Sequence, residues 1–175
     1  DGKASGVGAR SQGRDEPIGA DAIISSMPIS ELVARLEPPA PVDVRDGAAQ
    51  LTYRDYFTVG LIVNRADLFP DNWIYIHAPE VKVGRIQNFK NWSPEMVPDQ
   101  SKTFLGLEYF CNEGDELWNM SDEALIKLAS RELETMGLAR AADVEGGTVI
   151  RQLKTYPVYT GEYKEYLERI RGFLD

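Results

Sequence analysis

The chain has 175 residues, 43% of them hydrophobic, and a formal net charge of −9 at pH 7. That length suffices for one domain with a hydrophobic core, and the acidic balance does not suit non-specific binding to nucleic acid. No apolar run approaches the roughly 18 residues of a membrane span, and no signal peptide is evident. Together with the acidic charge, these observations make neither nucleic acid nor membrane an expected partner. The single cysteine, Cys111, excludes an internal disulfide and favours a reducing, cytoplasmic location.

The first part of the chain is polar and rich in glycine up to residue 20. Asp1–Gly2 fits either a hairpin turn or a disordered end. The short apolar run Ala22–Ile24 predicts a buried strand. Pro28 then occupies a favourable position for the start of a helix, and the double proline Pro38–Pro39 ends that helix. A strand that leads directly into a helix indicates the end of an α/β unit.

The remainder of the chain contains most of the predicted sheet. Alternating apolar residues predict strands at 51–64, 72–77, 84–89, 103–111 and 146–157, and apolar stripes predict helices at 121–137 and 160–175. Strands in succession, followed by helix, strand and helix, are typical of an α+β fold. We expect a mixed, largely antiparallel sheet with flanking helices.

No complete catalytic motif is present in the sequence. The stretch "GVGARSQG" follows no predicted strand, so it is a weak candidate for a phosphate-binding loop. One histidine and one cysteine cannot form a zinc cluster, and no metal site is expected. A Cys111–His77 dyad is an alternative, but a lone cysteine in an apolar strand usually fills a core. No catalytic residue is assigned.

The two predicted strands within "NWIYIHAPEVKVGRIQNF" divide their side chains between two faces, because successive residues of a strand point in opposite directions. One face carries isoleucines that suit a core, and the other carries large amphipathic side chains. The first face is expected to contain Ile74, Ile76 and Ile86, and the second Trp73, Tyr75, His77, Arg85 and Gln87.

The second face has two interpretations. It is either a half-exposed surface of amphipathic residues or the floor of a ligand site, because aromatic rings stack on flat ligands and an arginine binds phosphate through two parallel donors. The turn "NWSP" places the Asn91 amide and the Trp92 ring beside this face. This mixture suits a nucleotide-sugar or another phosphorylated ligand better than a hydrophobic one.

Three stretches of the chain resemble the flavin-dependent UDP-galactopyranose mutases, especially the eukaryotic-like branch, within the amine-oxidase-like FAD superfamily. "ADAIISSMPISEL" is similar to the segment that returns from the FAD domain of that superfamily. "NWIYIHAPEVKVGRIQNFKNWSP" is similar to the W-x-Y strand, arginine strand and N-[YW]-S-P turn of the mutases. "TYPVYTGEY" resembles their Y-P-x-P-T stretch, with Tyr159 in place of the usual proline.

The resemblance implies roles for individual residues. Arg85 corresponds to an arginine that holds the substrate diphosphate, and Tyr156 to a tyrosine that contacts the same group. Trp73 and Tyr75 correspond to aromatic residues of the nucleotide-sugar site, and Asn91 lies in the matching turn. The resemblance also implies that Ser26, Met27 and Pro28 contact the flavin.

The resemblance also implies FAD as the cofactor of a longer parent protein, in which the flavin itself is the nucleophile. Residues 1–28 are then expected to be a partly flexible hairpin and strand of the FAD domain, and residues 29–175 the substrate-binding domain. This chain alone is expected neither to bind FAD nor to be active, and its partner is the missing FAD domain. The alternatives are the substrate domain of an amine-oxidase or desaturase-like flavoenzyme, and a non-catalytic α+β binding module.

Overall fold

The computed structural model describes residues 3–175, and the turn considered at Asp1–Gly2 lies outside the described residues. In chain order the elements are β1 (Gly6–Ser11), β2 (Arg14–Gly19), α1 (Ile29–Ala34), α2 (Val42–Ala49), β3 (Tyr53–Val63), β4 (Trp73–Tyr75), β5 (Arg85–Asn88), α3 (Phe89–Trp92), β6 (Thr103–Cys111), α4 (Asp122–Thr135), β7 (Val144–Pro157) and α5 (Tyr163–Leu174).

The described chain forms two compact units. The first combines the residues up to Leu51 with Glu162–Asp175, and the second is Thr52–Gly161. The predicted boundary at residue 28 separates the FAD domain from the substrate-binding domain of a longer protein, and it stays a prediction. None of the helices found in residues 3–175 has the length and apolarity needed to cross a bilayer.

The first unit contains the hairpin of β1 and β2 and the helices α1, α2 and α5. The two strands pair antiparallel around Gln12 and Gly13, which both have positive φ values of 50° and 77°. Such a pair of residues matches the twist of a tight hairpin. Helix α1 begins after Pro28 as predicted. The buried core of this unit consists of Val33, Ala40, Val44, Ala48 and Ile170.

The strand predicted at Ala22–Ile24 is wrong. These residues form no strand, and Ile24 is 99% exposed. Three apolar residues in succession do not make a strand unless another strand offers free N–H and C=O groups beside them. The described residues provide no such neighbour, and the segment leads to α1 without regular structure.

The second unit is built on a five-stranded sheet with the order β4-β5-β6-β3-β7. Each pair of neighbouring strands is antiparallel. The α+β fold with a largely antiparallel sheet is therefore confirmed. One face of the sheet forms the main core, whose fully buried members include Phe57, Val59, Leu61, Ile86, Leu105, Leu107, Leu125 and Leu133.

Helix α4 supplies the other side of this core, and its ends follow from the sequence. Ser121 caps the first turn by accepting a hydrogen bond from the Ala124 N–H at 3.2 Å. Leu125 and Leu133 of its apolar stripe are fully buried. Gly137 follows the helix with a φ of 70°, a conformation that glycine adopts at low cost. The predicted start, stripe and end of this helix are confirmed.

The opposite face of the sheet is partly filled by two stacked phenylalanine rings, Phe89 and Phe104, whose centroids lie 5.3 Å apart. Each ring lies against a glycine. A Cβ atom on Gly60 would lie 2.6 Å from the Phe104 ring, and one on Gly106 would lie 2.8 Å from the Phe89 ring. Because the two glycines have no Cβ atoms, the rings can pack directly against the sheet and cover this part of the face.

A buried carboxylate ties α4 to the segment before β5. Glu132 is 6% exposed and accepts hydrogen bonds from the backbone N–H groups of Lys82 at 2.7 Å and Val83 at 3.1 Å. The Tyr109 hydroxyl donates a third bond to it at 2.9 Å. Burial, together with the Glu132 charge and this hydrogen bond, holds the pKa of Tyr109 far above its usual range, so this hydroxyl remains a donor.

We predict that Glu132→Gln destabilises the protein, because a buried amide has one acceptor oxygen where the carboxylate has two. The loss should be about 1–3 kcal/mol of the free energy of unfolding, measured by urea denaturation. The matched control is Glu123→Gln, which changes an exposed residue of the same helix. Equal stability of the two variants would show that Glu132 holds nothing in place.

Candidate functional site

The predicted register of the hairpin is confirmed. Trp73 is opposite Gln87, Ile74 is opposite Ile86, and Tyr75 is opposite Arg85. The isoleucines face the core. Trp73 and Tyr75 lie on the other face and are 44% and 57% exposed. We call this surface the Arg85 face, and it consists of Trp73, Tyr75, Arg85, Gln87, Glu108, Phe110 and Tyr156.

A buried glutamate lies beneath the centre of the Arg85 face. Glu108 of β6 is opposite Arg85 in the register and is 1% exposed. Arg85 donates Nε–H to Oε2 at 2.8 Å and donates Nη2–H to the same oxygen. Gln87 donates its amide to Oε1. Both carboxylate oxygens are thus occupied, as a buried charge requires.

Three aromatic rings surround the Arg85 guanidinium. Its Cζ atom lies 5.3 Å from the Trp73 ring centroid, 5.8 Å from Tyr75 and 5.9 Å from Phe110. Rings at this distance attract a cation through their negative faces. Nη2 also donates to the Tyr156 hydroxyl oxygen at 2.9 Å. The guanidinium is therefore fixed in both position and orientation.

The charge of Arg85 is maintained although its side chain is only 15% exposed. Burial alone would lower the pKa of the guanidinium, but hydrogen bonds with Glu108, Tyr75 and Tyr156 and the charge of Glu108 outweigh it. The net effect raises the pKa of Arg85 above its usual range. Arg85 thus remains a cation and a hydrogen-bond donor throughout the pH range in which proteins fold.

An irregularity in β7 precedes Tyr156. The pairing of β3 with β7 shifts register just before this residue, and Lys154 has a positive φ of 53°. The Asp55 carboxylate stabilises the irregular segment by accepting hydrogen bonds from the N–H groups of Lys154 and Glu113, both at 2.7 Å. After it, Tyr156 pairs with β3 again and reaches Arg85.

Asn91, another predicted ligand contact, uses its amide within the protein. Its Nδ2 donates to the carbonyl oxygens of Phe69 at 2.8 Å and Asp71 at 3.0 Å. These bonds hold the loop that leads into β4. The neighbouring Trp92 ring lies 5.8 Å from the Trp73 ring, so the expectation that this ring flanks the face is confirmed.

The structure therefore brings four of the predicted ligand contacts together and adds two residues. Trp73, Tyr75, Arg85 and Tyr156 share one surface, while the Asn91 amide is directed to the loop. Glu108 and Phe110 were not predicted from the sequence. Their signal was the alternation in "TFLGLEYFC", which places both on the face opposite to the leucines of β6.

Cys111 belongs to the core and not to a reactive dyad. It is 2% exposed, and burial, followed by the nearby charges of Asp115 and Asp55, raises the pKa of its thiol. A thiol in this state is a poor nucleophile at neutral pH.

The predicted flavin contacts lie in the first unit. Ser26, Met27 and Pro28 form the irregular segment before α1, where the Met27 N–H donates to Ser25 Oγ at 3.3 Å. Their role stays a prediction. The glycines of β1 lie in a hairpin, and within residues 3–175 no glycine-rich turn joins a strand to a helix in the manner of a dinucleotide phosphate loop.

The chain is similar in fold to several solved structures. It matches a reduced UDP-galactopyranose mutase with a TM-score of 0.72 and 20% identity, over 93% of this chain and 35% of that one. An oxidoreductase from Methanosarcina mazei matches with a TM-score of 0.60 and 15% identity, over 90% of this chain and 36% of that one. A putrescine oxidase triple mutant with redesigned cofactor binding matches with a TM-score of 0.56 and 15% identity, over 91% of this chain and 36% of that one.

These matches establish the fold, and the chain spans about a third of the length of each matched structure. No curated protein sequence matches the chain. The family model for flavin-containing amine oxidoreductases matches residues 3–169, which is nearly the whole chain. The chain therefore belongs to the flavin-containing amine oxidoreductase family.

Proposed function

We propose that the Arg85 face is the substrate-contacting surface of an FAD-dependent enzyme, and that its ligand carries a phosphate next to a flat ring, as a nucleotide-sugar does. The observation that carries this proposal is the fixed guanidinium of Arg85, with exposed aromatic rings beside it on an otherwise ordinary sheet. A fixed arginine suits phosphate oxygens, and the rings suit stacking.

The similar fold of a protein named UDP-galactopyranose mutase supports this ligand class, because its name identifies a uridine-diphosphate sugar. The parent enzyme would then interconvert or oxidise such a sugar, with FAD supplying the reactive centre. The residues of this chain would bind and orient the substrate. Trp73 and Tyr75 would contact a ring, and Arg85 with Tyr156 would contact the phosphates.

An amine is the alternative ligand, since a protein of similar fold is named putrescine oxidase. An amine ligand needs a carboxylate or carbonyl acceptor. Glu108 is the buried carboxylate of this face, but Arg85 and Gln87 already donate to both of its oxygens. An ammonium group would have to displace Arg85 and leave a buried guanidinium unpaired, which is costly. The contacts of Glu108 therefore favour a phosphate-bearing ligand.

We predict that Arg85→Lys weakens the binding of UDP-galactose by about 1–3 kcal/mol. Lysine keeps a positive charge beside Glu108, but unlike the planar guanidinium it cannot bond Glu108 and Tyr156 and still present further N–H donors to a phosphate. Isothermal titration calorimetry measures the affinity, and Arg131→Ala, an exposed arginine of α4, is the control that should bind as the wild type does. Binding of putrescine but not of UDP-galactose to the wild type would support the amine alternative.

A second prediction concerns the ring of the ligand. Trp73→Ala should weaken the binding of UDP-galactose by about 0.5–1.5 kcal/mol, because the ligand ring loses a stacking partner. The affinity for inorganic pyrophosphate, which has no ring, should fall by less in calorimetry, because Trp73 contributes to it only through its contact with the Arg85 guanidinium. An equal loss for both ligands would mean that Trp73 acts only by supporting Arg85.

A further inference from the structure

We infer that Glu108 lowers the affinity of the Arg85 face for every anion, so that a phosphate group alone binds weakly and a tightly bound ligand must bring both a phosphate and a ring. This inference rests on the proposed function and assigns to Glu108 the role of a counter-charge that limits anion binding, in addition to holding Arg85 in place.

The contacts of Glu108 hold its carboxylate beside Arg85 as a fixed counter-charge. Its side chain is 2% exposed, and both of its oxygens accept hydrogen bonds from neighbouring strand residues, Arg85 and Gln87. A carboxylate held in this way cannot turn away when an anion approaches. Any anion that reaches Arg85 therefore meets a positive and a negative charge a few ångströms apart.

Such a pair attracts anions weakly, because the field of two opposite charges falls off faster than that of one. What remains for the ligand is hydrogen bonding to the guanidinium, whose net gain over water is too small for tight binding on its own. Arg54 of β3 is a second cation on this side of the sheet. Its guanidinium already donates a hydrogen bond to the Phe110 carbonyl oxygen at 3.3 Å. Stacking on Trp73 and Tyr75 must then supply the additional binding energy.

The consequence is a face that common small anions occupy only weakly. A face with an uncompensated arginine would retain inorganic phosphate or pyrophosphate at lower concentrations. Because Glu108 weakens all anions by a similar factor, it does not change the ratio of their affinities. It leaves bare anions weakly bound, and the ring of a substrate supplies the additional affinity.

This role and a purely structural role predict opposite signs for the same substitution. If Glu108 only positioned Arg85, Glu108→Gln would weaken the binding of all phosphate ligands. If it limits anion binding, the neutral glutamine leaves Arg85 uncompensated, and inorganic pyrophosphate should bind about tenfold more tightly. UDP should gain by a similar factor, since the removed charge acts on both ligands.

Isothermal titration of the purified chain with pyrophosphate and with UDP tests the inference. The matched control is Glu123→Gln, which also removes one carboxylate but changes an exposed residue of α4, and its affinities should equal those of the wild type. If Glu108→Gln does not fold, Glu108→Thr is the second variant, because a β-branched residue opposite Thr58 suits a strand and also removes the charge.

Tighter pyrophosphate binding by Glu108→Gln or Glu108→Thr, with no change in the control, is the expected result. Equal or weaker pyrophosphate binding in a folded variant overturns the inference, while wild-type binding of UDP would leave the proposed function standing. Absence of UDP binding to the wild type contradicts the proposed function itself, whatever the variants do with pyrophosphate.

Discussion

A carboxylate buried within a β-sheet requires a cation or several donors beside it, and much of the second unit is arranged around one such group, Glu108. Its bonds to Arg85 and Gln87 join β6 to the neighbouring strand β5 through side chains as well as backbone. Because Glu108 fixes Arg85, the aromatic rings can pack at defined distances around a cation. The ion pair and the rings therefore depend on each other.

The two faces of the sheet differ in character, because successive side chains of a strand point to opposite faces. The face toward α4 is a continuous apolar core, and Glu132 adds a polar connection from that helix to the segment before β5. The other face is closed at one end, where Phe89 and Phe104 pack over Gly106 and Gly60. The rest of that face carries Glu108 and its partners. Rigid packing on one side thus supports a precisely oriented arginine on the other.

Local patterns in the sequence were sufficient to predict the strands of the five-stranded sheet, helix α4 and the two faces of the β4–β5 hairpin, because alternation and capping depend on neighbouring residues. The same rules failed at Ala22–Ile24, since a strand needs a partner that local sequence does not specify. The bonds of Glu108 and Asn91 could not be predicted from local pattern, because their partners lie 20 or more residues away. The resemblance to the mutases identified Arg85 but not the charge beneath it.

A crystal structure of the chain with bound UDP is the sharpest test of the proposed site. We expect the diphosphate to lie within hydrogen-bond distance of the Arg85 guanidinium, the uracil ring to contact Trp73 or Tyr75, and Glu108 to keep both of its present bonds. UDP bound away from this face would contradict the proposed site. Arg85 turned away from Glu108 toward the phosphates would contradict the view that the ion pair is permanent.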